Sequence, residues 1–214
     1  MAIAENGPQG RHRGRIGNMV YYTLNGQNIG RKIGRRTKPP TEGELRHRAI
    51  MKLVPPFLKK MLEFINLGFS AAALGTTKNA YNLAMEANFH KIVAGVYPDL
   101  TINYPEVILS QGMLRPAQNP LAELAPTGIQ FSWDTNPQMA WPESSDQAMM
   151  LAYFPNEDIA VFTLFGKDRL SGTDLLILPE ELREQPLYTY LSFISADRKQ
   201  QADSSYTGAF NLGI

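Results

Sequence analysis

Hydrophobic and polar residues follow three different periods along this chain. From Met19 to Leu24 the positions are β-branched and aromatic, Asn25-Gly26 follows, and Gln27 to Ile33 makes a second run. Asn-Gly between two such runs predicts a β-hairpin, because both central turn positions need positive φ. In the second run Ile29, Arg31 and Ile33 share a face, while Gly26, Gly30 and Gly34 fall on the other. A face bare of side chains admits close approach by another backbone or a ligand; it equally marks a bulge or weak edge. A lone hairpin is marginal in water, so this one must pack on something.

Helical spacing takes over across about 41–93. Thr41-Glu42-Gly43-Glu44 has capping-box spacing and follows Pro39-Pro40. Leu45, Ala49, Met51, Leu53 and Val54 carry a helix to Pro55-Pro56. A second helix is predicted from Phe57 to Leu67, closing on Gly68, and a third from Thr77 to Ala94, closing on Gly95. Their Met and aromatic positions read as core. Beyond about residue 103 the period shortens again. Apolar runs at 107–109, 128–133, 148–154, 159–164, 175–178, 187–193 and 205–210 predict strands, with turn signals such as Pro155-Asn156-Glu157-Asp158 between them. Trp133 and the tyrosine-rich 187–193 run suit a fibronectin-III-like or immunoglobulin-like core. The expected class is therefore α+β: a basic arm and β-hairpin over 1–40, a helical segment over 41–100, and an antiparallel β-sandwich over 101–214.

Charge sharpens the first segment. The 214 residues carry 21 Lys and Arg against 20 Asp and Glu, a formal +1. Residues 1–60 hold 13 of the bases and only three acids (Glu5, Glu42 and Glu44), so this stretch is +10 and the remainder −9. Such asymmetry predicts an arm with an acidic partner, either nucleic acid or the acidic part of the same protein. The candidate binding residues are Arg11, Arg13, Arg15, Tyr21, Tyr22, Arg31, Lys32, Arg35, Arg36 and Lys38, with Gly26, Gly30 and Gly34 as close-approach positions. Basic residues interleaved with tyrosines suit phosphates and stacked bases. They suit an acidic protein surface as well, and the sequence supplies that complement itself.

Catalytic chemistry is hard to assemble. The chain has no cysteine, which removes disulfides, thiolate metal sites and a Cys nucleophile. His12, His47 and His90 lie in three separate predicted elements without metal-ligand spacing. No nucleophile elbow or phosphate-binding glycine loop occurs. Glu157-Asp158 and Glu180-Glu181 read as turn charges rather than an acid–base pair. No cofactor, no metal and no enzymatic activity are expected. The opening residues contain no apolar core of a signal peptide, and no run approaches a membrane span, so a cytoplasmic protein or a component of a virion-like or other assembly is expected.

The pattern Gly14-Arg15-Ile16-Gly17-Asn18-Met19-Val20, then Asn25-Gly26, Ile29-Gly30-Arg31 and Lys38-Pro39-Pro40-Thr41-Glu42, then Leu45-Arg46 and Arg48, resembles an uncharacterised family of small Bacteroidota proteins. The family form is a G-K-x-G-N-x-V start, a short hairpin and an N-P-[RK]-T-x-x-Q-x-x-R segment. Here Pro39-Pro40-Thr41 replaces N-P-R-T. Later matches at Asn66-Leu67-Gly68-Phe69, Ala80-Tyr81-Asn82, Tyr97-Pro98-Asp99 and Leu191-Ser192-Phe193 extend the resemblance along nearly the whole chain. The family implies no catalytic residues. Its opening is similar to the start of some phage-encoded proteins, which implies a structural or assembly role. The expectation is a non-enzymatic assembly protein, a homo-oligomer or part of a larger protein assembly, with no membrane partner; a nucleic-acid-binding module using the same arm is the alternative.

Overall fold

Asn25 and Gly26 have φ of 48° and 80°, the paired positive values of a tight hairpin turn. A computed structural model of the protein describes residues 2–5, 10–35 and 37–212. The hairpin belongs to a four-stranded antiparallel sheet, β1 (Ala2–Glu5), β2 (Arg11–Ile16), β3 (Met19–Leu24) and β4 (Gln27–Lys32), in that order. Strand β2 escapes sequence reading because Arg11, Arg13 and Arg15 alternate with His12 and Gly14, leaving no apolar parity to find. No residue of β2, β3 or β4 is buried.

The chain divides into two compact units, Met1–Thr41 and Glu42–Ile214. The second begins with α1 (Glu42–Lys59), α2 (Leu62–Gly68), α3 (Ser70–Ala73) and α4 (Ala80–Asn88). Helix α1 runs through Pro55 and Pro56 instead of stopping there. The two prolines remove the N–H groups that would reach the Met51 and Lys52 carbonyls, and both of those residues are exposed, so water serves the orphan acceptors. The break comes at Lys60 and Met61, whose N–H groups bond three residues back to Phe57 and Leu58. Helix α4 ends at Asn88, short of the expected Ala94, and residues 93–102 form a hairpin of β5 (Val93–Val96) and β6 (Asp99–Ile102). Buried Asn88 sets that end: its side chain donates to the Ala84 and Ile108 carbonyls and accepts from the Ile108 N–H.

The same clamp explains why 107–109 is not a strand. Ile108 N–H is taken by Asn88 and Leu109 N–H by the Ser204 hydroxyl, so side chains replace a ladder. The remaining strands are β7 (Leu121–Ala125), β8 (Gly128–Ser132), β9 (Gln147–Phe154), β10 (Ile159–Thr163), β11 (Thr173–Ile177), β12 (Leu187–Ile194) and β13 (Ser205–Phe210). They form one antiparallel sheet ordered β10-β9-β12-β13 and another ordered β11-β8-β7. Strands β9 and β12 are buried on both faces, which is why they read as unbroken apolar runs. Met149, Leu151, Tyr153, Tyr190 and Ile194 meet Phe57, Leu58, Phe64 and Ile65 of the helices in one core. Ala148, Met150, Phe154, Leu191 and Phe193 meet Ile129, Phe131, Trp133 and Leu176 in a second. The helices therefore share their core with the four-stranded sheet.

Tyrosines line the helix-facing core. Tyr104 stacks on Tyr188 at 3.7 Å between ring centroids, and Phe57 packs edge-on against Tyr153. Tyr190 donates its hydroxyl to the Tyr104 carbonyl at 2.8 Å. Burial pushes the Tyr190 and Tyr153 hydroxyls well above their ordinary 10.0, so both stay protonated in the fold. An unfolded chain releases those protons at about its ordinary value; stability from this cluster is complete below pH 10 and drains away as pH rises past it. Spectrophotometric titration is expected to show these phenols ionising only together with unfolding.

Candidate functional site

Strand register sorts the predicted arm residues onto two faces. Cross-strand pairs Arg15–Val20 and Val20–Arg31, with Tyr22 opposite Ile29, place Arg11, Arg13, Arg15, Tyr22 and Arg31 on one side. The four arginines are exposed and Tyr22 is half-buried among them. Arg31 sits with its guanidinium carbon 6.0 Å from the Tyr22 ring centre, at cation–π distance. The result is a guanidinium-rich face around one aromatic ring.

Tyr21 points to the other side, with Lys32. It pairs with Gly14 on one neighbouring strand and Gly30 on the other. A Cβ added at Gly30 would lie 2.8 Å from Tyr21 Cε1, so the group that approaches this glycine is a ring of the same sheet. His12 lies 5.6 Å from the same ring. The bare glycine face expected from sequence is thus covered at Gly30, while Gly26 serves the turn and Gly34 has open space around its Cα. Beyond the strands, Lys32 and Arg35 line a cavity of about 480 Å³ with Asn18, Ile33 and Gly34. Lys38 lies exposed at a bend, and Arg36 falls outside the described residues.

The other histidines are packed against rings: His47 is 5.2 Å from Phe89, and His90 is 4.8 Å from it. Among the described residues no three His, Cys, Asp or Glu side chains gather as a metal cluster. No helix among them is long and apolar enough to cross a membrane.

Sequence reading passed over a second feature, in the unit Glu42–Ile214. Arg169 and Asp146 form an ion pair at 3.2 Å with side chains only 3% and 2% exposed. The guanidinium also donates to the Arg115 carbonyl at 2.8 Å and lies 3.8 Å from the centre of the Phe193 ring. Trp133 donates its indole N–H to the Arg169 carbonyl. Burial pushes the Asp146 carboxyl above its ordinary value and pulls the Arg169 guanidinium below its own, with their mutual attraction opposing both shifts. Beside this pair opens a cavity of about 520 Å³, lined by Met113, Arg115, Trp141, Glu143 and Asp197 among others. The available signal was a tryptophan outside any apolar period, Trp141-Pro142, followed at once by Glu143.

A family model matches residues 11–208. The chain belongs to DUF6266, a family of unknown function. Searches of curated proteins and of solved structures found no match. The match takes in β2 to β4 of this DUF6266 chain together with almost all of its second unit, so the arginine face lies inside the family region.

Proposed function

We propose that this protein is a non-enzymatic assembly component whose basic N-terminal sheet packs on a neighbouring copy. The observation that carries the reading is a four-stranded sheet whose strands β2 to β4 hold no buried residue and present an arginine face. Strands that bury no residue have little core to hold them and gain stability by packing on another surface. Charge favours protein as that surface. Residues 1–41 carry eight bases against one acid, Glu5, whereas the rest carries 13 bases against 19 acids. Opposed charge gives orientation and fast encounter, and salt weakens it.

In this reading the larger unit is a fibronectin-III-like sandwich that serves as the body of the subunit. Its support is a three-stranded and a four-stranded antiparallel sheet sharing one core, with Trp133 edge-on to Phe193 at 5.2 Å. Replacing Arg11, Arg13, Arg15 and Arg31 together by Gln is expected to lower the scattering mass of the full chain to that of its monomer. An unchanged mass overturns the proposal.

Tyr22 between arginines favours one second reading, a module that stacks a base and neutralises phosphates. Titration with single-stranded and duplex oligonucleotides separates the two. Nucleic-acid binding predicts saturable binding whose log affinity falls linearly with log salt and is lost with Tyr22→Ala and the arginine changes. Self-assembly predicts a mass that oligonucleotide does not raise.

A further inference from the structure

Trp141 is 80% exposed, whereas Trp133 is 5% exposed and held in the core. Met113, on the same cavity, is 95% exposed. Glu143, Asp146 and Asp197 line that cavity with Arg115, and Lys199 stands 3.9 Å from the Asp197 carboxylate at its rim. Asp146 is already paired with Arg169. Glu143 Oε1 is shielded from solvent without a hydrogen-bond partner among the described residues. Its nearest cation, Arg115 Nη1, is 3.7 Å away, an ion-pair contact too long for a hydrogen bond. The Glu143 side chain is still 38% exposed, so its other oxygen is the one a partner can reach, and a carboxylate beside an exposed indole and a methionine suits one kind of group: a planar cation on an apolar stem. Arginine has that shape, with donors arranged in a fork, a face that stacks on indole and methylenes that cover apolar surface.

We propose that this cavity receives an arginine from strand β2 of a second copy, its stem along Met113 and Trp141 and its guanidinium on Glu143. The occupant is chosen by charge: β2 presents Arg11, Arg13 and Arg15 on one exposed face, and residues 1–41 carry +7 against −6 for the remainder. Successive arginines on that face stand about 7 Å apart, so one enters the cavity while the others stay at its rim. The inference rests on the assembly reading above and names the surface that the arm meets.

The test uses two full-length variants. One carries Trp141→Ala and Glu143→Gln, the other Arg11, Arg13 and Arg15→Gln. Each alone is expected to self-associate at least tenfold more weakly than the wild type. An equimolar mixture regains a one-to-one complex, because each chain keeps one intact half of the contact. Fluorescence of buried Trp133 verifies the fold of the first variant, and Glu143→Gln alone repeats the test where the double change unfolds it. If the cavity variant associates like the wild type while the arm variant does not, the cavity assignment falls and the assembly reading stands. If the arm variant also associates normally, both fall. If the mixture stays dissociated with both chains folded, arm and cavity do not meet between copies.

Discussion

Arg169→Met is expected to destabilise the protein by about 3–5 kcal/mol, because it strands the Asp146 carboxylate where water cannot reach it. Both side chains are almost fully buried, so solvent screening offers little relief. The change also removes the donor to the Arg115 carbonyl and the cation stacked on Phe193. Against a usual total of about 5–15 kcal/mol, that loss is a large share of the fold's stability. Asp146→Leu is expected to cost a comparable amount by leaving the guanidinium unpaired. The double variant is expected to cost much less than the sum. Burial shifts each partner's pKa towards its neutral form despite their attraction, so the pair does not outweigh its own desolvation. Urea unfolding of the four proteins of this cycle measures the coupling. Nearly additive losses contradict the account.

The pH dependence of this pair has a definite sign. The folded Asp146 carboxyl binds its proton more tightly than the ordinary value of 3.8. Its ionised form therefore costs stability at neutral pH, and that cost fades as pH falls through the raised value towards 3.8. Protonation of Asp146 does not drive acid unfolding.

The second large effect concerns the arm. Removing four guanidinium groups from one exposed face strips the N-terminal sheet of its charge complement, and assembly is expected to fail while the larger unit keeps its fold. Among the described residues, both cores of that unit are built from Ile50 onward. Under salt and dilution that dissociate the wild type as well, thermal unfolding should therefore show the same main transition in the wild type and the arginine variant. A collapse of that transition would mean that the arginines stabilise the subunit's own fold.

Much of this architecture was legible in the chain. Asn25-Gly26 announced its turn because two consecutive positive φ values leave few residue choices. Strands β8 to β13 showed as apolar or aromatic runs bounded by turns. Strand β7 did not, since Leu121-Ala122-Glu123-Leu124-Ala125 is built from residues that favour helices and gains its extended form by pairing with β8. The end of α4 leaves no local signature because Asn88 acts through its side chain on a segment 20 residues later, a contact no local period records. The arm's basic and tyrosine positions are visible in the sequence but not their division between faces: only register shows that Tyr22 joins the arginines while Tyr21 covers Gly30. The cavity beside Trp141 left only that tryptophan as a sign. Its walls come from residues 113–115, 141–146 and 195–200, which the fold alone brings together.

The most direct test of the assembly role is the scattering mass of the full chain across protein concentration and salt. The account predicts a multiple of 23.9 kDa at about 0.1 M ionic strength or below, falling towards 23.9 kDa as salt screens the arginine face. A mass of 23.9 kDa at every concentration and every salt would contradict it.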